Sequence, residues 1–207
     1  MERQISYYNQ ALQQDIMNLP VGLQARYIQV TQRLKNYWET IGIPHCRARR
    51  DGLFDLRLKS EEGSQIFYCT LVDNQIVFLH TYVKKSKKTP LKEVDMGLRR
   101  MQDMKANHDT SMMTHDEMIK QMLQNPSVKK EYEALELEFV LFDELLQARR
   151  RSGLTQLQVA ERMGTKESVV AQIESSGSGK TNYPSVAILI KYAEALGCHF
   201  DMKLVPH

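Results

Sequence analysis

The sequence of 207 residues predicts an α+β protein in which a mixed domain is followed by an all-α domain. Three observations support this. Apolar residues recur at helical spacing over 5–41, and they alternate with polar residues over 53–83. A polar, aperiodic stretch at 107–111 then separates this first part from a helical remainder. We therefore predict a first domain over 1–111 and a second over 112–207.

A helical hairpin is expected at the start of the first domain. Tyr8, Leu12 and Ile16 recur there at four-residue spacing. Pro20 interrupts the period before it resumes, which favours two helices over one.

An antiparallel meander of three strands should follow the hairpin. In the first strand Phe54, Leu56 and Leu58 face one side of the sheet, and the polar residues between them face the other. Short turns separate the three strands, which are expected at 53–59, 65–71 and 76–83. Pro90 then opens a closing helix.

The composition restricts the class of protein. The chain is 42% hydrophobic and 26% charged, as in ordinary globular proteins, and no apolar run approaches the roughly 20 residues that cross a bilayer. The start resembles no export signal, and three scattered cysteines favour reduced thiols in a cytoplasmic protein. Because no metal-binding pair of cysteines or histidines occurs, we expect neither a metal nor a cofactor.

The net charge of +3 conceals a difference between the two domains. Residues 1–111 hold 17 Lys and Arg against 12 Asp and Glu, which gives +5. Residues 112–207 hold 11 against 13, which gives −2. A basic part joined to a mildly acidic one suggests that the first binds a polyanion and that the second can mask it.

Residues 154–174 have the pattern of a helix-turn-helix. Gly153 can end the preceding helix in the left-handed conformation. Thr155 and Gln158 can form a capping box for the first helix of the motif, and Gly164 permits the sharp turn that follows it.

The second helix of this motif is expected to present its polar face to DNA. Thr165 would cap this helix, and Val169 and Ile173 would face inward. Its N-terminal end would then enter the major groove, while Gln156 and Lys180 would contact phosphates. The expected DNA-binding residues are Gln156, Thr165, Lys166, Glu167, Ser168, Gln172 and Lys180.

These residues closely resemble the Cro/repressor-type helix-turn-helix family and, with 184–185 and 192–197, the HigA family of antitoxins. The resemblance covers about 112–207, with a core at about 139–197. It implies a homodimer that reads operator half-sites about one helical turn apart. A helical bundle with no role in DNA binding is the alternative. The segment 198–205 alternates like a strand that could pair between subunits.

Basic and aromatic residues gather on the predicted sheet of the first domain. Four lysines follow the third strand, namely Lys84, Lys85, Lys87 and Lys88. By themselves they could form a solvated basic loop. Arg57, Tyr68 and His80 lie on adjacent strands, however, and with the lysines they would form a basic, partly aromatic concavity for phosphates and stacked bases.

Six short motifs in this domain resemble the phage-derived HigB branch of the RelE toxin superfamily over about 5–105. They are 19–20, 44–45, 52–57, 66–68, 79–80 and 84–90. The resemblance implies a RelE-like fold and a ribonuclease that enters the ribosomal A site. There the ribose 2′-hydroxyl of the mRNA would attack the adjacent phosphate without a metal.

The resemblance also implies roles for single residues. Arg57, Lys84 and Lys85 would stabilise the phosphate and its transition-state charge, and Lys87 and Lys88 would hold the RNA. Tyr68 would stack on a base or donate a hydrogen bond. His80 is a candidate for proton transfer, although a core histidine is an alternative for this position.

One departure from the family leaves two functions open. Gln65 stands where the family usually carries arginine, and glutamine cannot neutralise a phosphate. The first hypothesis is a toxin–antitoxin module in one chain, in which the acidic helix of the second domain or the helix at 114–124 docks on the toxin. The alternative is a non-enzymatic transcriptional regulator with a degenerate toxin domain.

Overall fold

The computed structural model describes residues 3–37, 46–60, 63–72, 74–83, 91–104, 113–175 and 184–203. Within these residues lie five strands and eight helices. A part that contains the whole sheet precedes a purely helical part, so the mixed α+β class is confirmed.

A strand, β1 (Gln4–Tyr7), precedes the helices α1 (Gln10–Met17) and α2 (Val21–Tyr37). The two predicted helices are thus present, but the expectation of helix from residue 5 onward is wrong. Ile5 and Tyr7 alternate into the core, and β1 forms because it pairs in parallel with a strand some 70 residues away. So short a strand leaves no period of its own in the sequence.

The sheet has five strands in the order β1-β5-β4-β3-β2. The predicted meander is confirmed as β3 (Leu53–Ser60), β4 (Gly63–Val72) and β5 (Gln75–Val83), which pair antiparallel. Strand β2 (Cys46–Ala48) adds an antiparallel edge next to β3.

The two faces of this sheet are covered by different helices. Leu56, Phe67 and Phe78 face α1 and α2 and belong to the larger core. Tyr68 and Leu79 face the other side, where α3 (Leu91–Asp103) packs with Val94, Leu98 and Met101 among its contacts. The face of the sheet to which the polar residues of β3 were assigned is therefore largely covered by α3.

Two helices follow, α4 (His115–Leu123) and α5 (Pro126–Ser152). The chain breaks between them at Gln124 and Asn125, and α5 begins at Pro126. Asn125 caps α5 by accepting from the backbone N–H of Ser127, and Pro126 is its first residue. Proline suits this position because the N–H it lacks would have no helical partner there.

Helices α4 and α5 complete the core of the sheet-containing part. Met118 and Met122 of α4 and Phe139 of α5 are buried among residues of α1, α2 and the sheet. Further along α5, Phe142 and Leu145 belong to a second, helical core. One helix therefore supplies both cores.

The helix-turn-helix forms as predicted from α6 (Gln156–Met163) and α7 (Glu167–Ser175), which α8 (Val186–Ala195) supports. Gly153 and Gly164 adopt left-handed conformations, with φ of 70° and 65°. Thr155 and Gln158 form the capping box. The described residues 198–203 form no strand within this chain.

Candidate nucleic-acid interfaces

Three rings form a row on the face of the sheet that α3 covers. Tyr68 and His80 are register partners on β4 and β5, and their ring centroids lie 6.3 Å apart. Tyr82 stacks with both, at 5.9 Å from Tyr68 and 6.4 Å from His80. The structure thus brings together Tyr68 and His80, as predicted, and adds Tyr82.

His80 is paired with an acidic residue of α3. Its Nε2 lies 2.7 Å from Oε2 of Glu93, and both side chains are mostly buried. A histidine held by a carboxylate is oriented for proton transfer. Glu93 was not among the residues predicted from the sequence, where its one signal is an acidic residue in the first turn after Pro90.

Asp55 lies beside Arg57 on the same face of the sheet. Its Oδ2 accepts a hydrogen bond from Nε of Arg49 at 2.8 Å and one from Nη2 of Arg57 at 3.4 Å. Asp55 is fully buried. Arg57 keeps 31% of its side chain exposed, but part of its charge is compensated by Asp55.

Tyr68 is fully buried beneath α3. A Cβ atom added to Gly97 of this helix would lie 3.3 Å from Cβ and Cγ of Tyr68, a tight contact that glycine avoids at this close approach. Burial raises the pKa of the Tyr68 phenol above its ordinary value. In this conformation Tyr68 therefore supports the row of rings, and the predicted stacking on a base would require α3 to move.

Some predicted residues lie outside the described part of the chain. These are Lys84, Lys85, Lys87 and Lys88, together with Lys180. Strand β5, which carries His80, ends at Val83 directly before the lysine run. The backbone of Gln65 pairs with Val83, next to the same end.

The N-terminal end of α7 is open to solvent. Lys166, Glu167, Ser168 and Gln172 are exposed, and Thr165 is half-buried. Val170 and Ile173 hold the opposite side of the helix in the second core. These four polar side chains are thus accessible to DNA, as their predicted role requires.

A buried carboxylate holds the other end of α7. Glu174 accepts hydrogen bonds from Arg149 at 2.5 and 2.9 Å and from the hydroxyl of Tyr192 at 2.6 Å. Gln156 donates to the same carboxylate at 2.8 Å. The side-chain amide of Gln156 is therefore engaged inside the domain, and its contact with a phosphate stays a prediction. Sequence spacing does not reveal this network.

Two tyrosines and a histidine join α4 to the sheet-containing part. The hydroxyl of Tyr7 lies 2.5 Å from Nδ1 of His115 and 2.9 Å from the hydroxyl of Tyr27. Nε2 of His115 is buried and meets no hydrogen-bond partner in the described residues. Burial lowers the pKa of His115 to about 4, and the nearby charge of Lys35 acts in the same direction.

Helices α2 and α5 meet through charged side chains. Nε of Arg33 lies 2.6 Å from Oδ1 of Asp143, and Nη1 of Arg26 lies 4.0 Å from Oε1 of Glu138. Burial raises the pKa of Asp143, while the charge of Arg33 opposes that shift. The first part contributes the cations of this contact and α5 the carboxylates.

Neither interface involves a metal site among the described residues, where no group of three or more His, Cys, Asp and Glu could hold an ion. Of the helices described, none combines the length and the apolarity needed to cross a membrane.

Comparison with known proteins finds a match for each part of the chain. Residues 14–102 match the family of phage-derived, Gp49-like proteins, which are toxins of the RelE/HigB type. Residues 145–202 match the helix-turn-helix family of Cro/repressor type. No curated protein matches the chain. The chain therefore joins a Gp49-like, toxin-type part to a DNA-binding helix-turn-helix part, a combination that supports a toxin–antitoxin or regulatory role.

Proposed function

We propose that this chain is a toxin–antitoxin module in one polypeptide. Residues 1–111 act as a HigB-type toxin that cuts mRNA on the ribosome, and residues 112–207 act as a HigA-type antitoxin that represses its own operon as a homodimer in the cytoplasm. The observation that carries the proposal is that Met118 and Met122 of α4 and Phe139 of α5 are buried in the core of the Gp49-like part. That packing is what a tethered inhibitor requires.

The toxin chemistry is assigned to the face of the sheet under α3. Arg57, with Lys84 and Lys85, supplies positive charge for the phosphate, and His80, oriented by Glu93, moves a proton between the 2′-hydroxyl and the leaving oxygen. Such a reaction needs charge stabilisation more than a strong base. Gln65 removes one positive charge, whereas Arg57, Lys84 and Lys85 are retained, and these three cations support activity.

The antitoxin inhibits the toxin by steric hindrance rather than by covering Arg57, Tyr68 and His80. Helices α4 and α5 pack on the face of the sheet opposite to Arg57, Tyr68 and His80. The whole second part is nevertheless attached to the toxin there, and this attachment hinders entry into the ribosomal A site. Covalent linkage makes the contact intramolecular, with an effective concentration of about 1 mM.

Expression of residues 1–111 without the second part tests the toxin activity. We expect growth arrest and cut messages on translating ribosomes, and rescue when residues 112–207 are supplied in trans. Arg57→Ala should slow cleavage about tenfold, since it removes one charge-assisted contact that Asp55 already weakens.

The same experiment separates the alternative function. If residues 1–111 are soluble and bind residues 112–207 but leave messages intact, the chain is a non-enzymatic regulator with a degenerate toxin part. Gln65→Arg then tests whether this position accounts for the missing activity. A gain of mRNA cleavage in this variant would show that it does.

Replacement of an exposed residue of α7 tests the DNA-binding role. Gln172→Ala should weaken binding to a selected operator duplex by about 1–3 kcal/mol, the usual value of a base contact. The matched variant is Gln121→Ala, which removes an exposed glutamine from α4. A titration of both variants in one salt concentration checks this, and equal affinities would remove Gln172 from the residues that read bases.

A further inference from the structure

One side chain of the Gp49-like part reaches the end of the DNA-recognition helix α7. Nη2 of Arg33, on α2, donates a hydrogen bond to the backbone carbonyl of Glu174 at 3.2 Å. The same guanidinium forms the ion pair with Asp143 of α5. Arg33 is only 4% exposed, so both contacts lie away from solvent.

The contact has the chemistry of a C-terminal helix cap. Glu174 is the penultimate residue of α7, and the last carbonyls of a helix have no partner within it. The same end carries the negative pole of the helix dipole, which a cation stabilises. A buried guanidinium supplies both the missing donor and the positive charge.

Glu174 is also fixed from the side of its carboxylate. Arg149 of α5, Tyr192 of α8 and Gln156 of α6 all bind that group. The side chain thus ties α7 to three other helices of the second part, α5, α6 and α8, whereas the backbone carbonyl ties it to α2. Because α7 has nine residues, a tilt at this anchored end displaces the exposed residues Ser168 and Gln172.

We propose that the Gp49-like part sets the position of the recognition helix, with Arg33 as the positioning residue for DNA binding. The toxin-type part is then required for full operator affinity, beyond any catalytic role. This inference rests on the proposed binding of operator DNA by α7.

The test uses the full chain and a duplex that the wild-type chain selects from a random pool. Arg33→Met removes both contacts of the guanidinium, whereas Asp143→Asn breaks the ion pair and leaves the cap on Glu174. We expect Arg33→Met to bind the selected duplex about tenfold more weakly. Asp143→Asn should keep the wild-type affinity, although both variants lose stability at the contact of α2 with α5.

Hydrogen exchange of the α7 amides provides a second measurement, which does not depend on DNA. Arg33→Met should speed exchange in the last turn of α7, and Asp143→Asn should not. Equal affinities of the two variants for the duplex overturn the inference. If the wild-type chain selects no duplex, the DNA-binding proposal fails instead, and equal exchange in α7 would then overturn the inference.

Arg33→Lys replaces Arg33→Met if the methionine variant does not fold. A lysine keeps a cation for Asp143 but lacks the fork of nitrogens with which the guanidinium holds Asp143 and the carbonyl of Glu174 at separate atoms. It should therefore show the weak binding and the fast exchange expected of the methionine variant. Wild-type values for both measurements would contradict the role of the guanidinium.

Discussion

Phe139→Ala is expected to lower the free energy of unfolding by about 3–5 kcal/mol, the usual loss for a buried phenylalanine. The ring belongs to α5 but is 2% exposed within the core of the Gp49-like part. The guanidinium of Arg33 lies 5.7 Å from its centroid, so truncation also removes a cation–π contact. Denaturant unfolding of the full chain measures the loss.

Leu137→Ala is the matched control for Phe139→Ala. Leu137 lies on the same helix but is 83% exposed, and its truncation should change stability by less than about 0.5 kcal/mol. Similar losses in the two variants would show that α5 does not pack on the first part in solution. If docking silences the toxin, Phe139→Ala should also increase the toxicity of the full chain.

Acidification from pH 6.5 to pH 4 is expected to cost the folded protein about 3 kcal/mol through His115 alone. The pKa of this residue is about 4 in the folded protein, against 6.5 for an ordinary histidine. Within this window the unfolded chain binds a proton that the folded chain does not. Stability therefore falls as the pH falls, by about 1.4 kcal/mol per unit. Above pH 6.5 the effect is absent.

The measurement compares unfolding free energies at several pH values for His115→Gln and the wild type. The variant should lose less stability on acidification, since it has no proton to take up at this position. His199→Gln serves as the control, because His199 is exposed and should keep the wild-type slope. Parallel curves for His115→Gln and the wild type would contradict the buried, neutral state of His115.

The elements that the sequence predicted correctly depend on local signals. The capping box at Thr155 and the glycines at 153 and 164 each act within a few residues, and the structure has them as predicted. Tyr68 and His80 came together because short turns fix the register of neighbouring strands. For such features, spacing along the chain determines the geometry.

The features that the sequence did not reveal depend on contacts between distant residues. Strand β1 forms through its partner β5, and the burial of Tyr68 follows from the position of α3. The partners of Glu174 come from three other helices. The periodicity of the sequence does not predict such long-range contacts, because each residue alone resembles an ordinary surface or core residue.

The sharing of α5 between two cores has a consequence for the turnover of the protein. A protease that digests the second part would also remove three apolar side chains from the core of the first part, namely those of Met118, Met122 and Phe139. The remaining first part would then expose an apolar cleft beside α2. Exposed apolar surface of this kind promotes aggregation, so the first part would stay soluble only while another copy of α4 and α5 covers it.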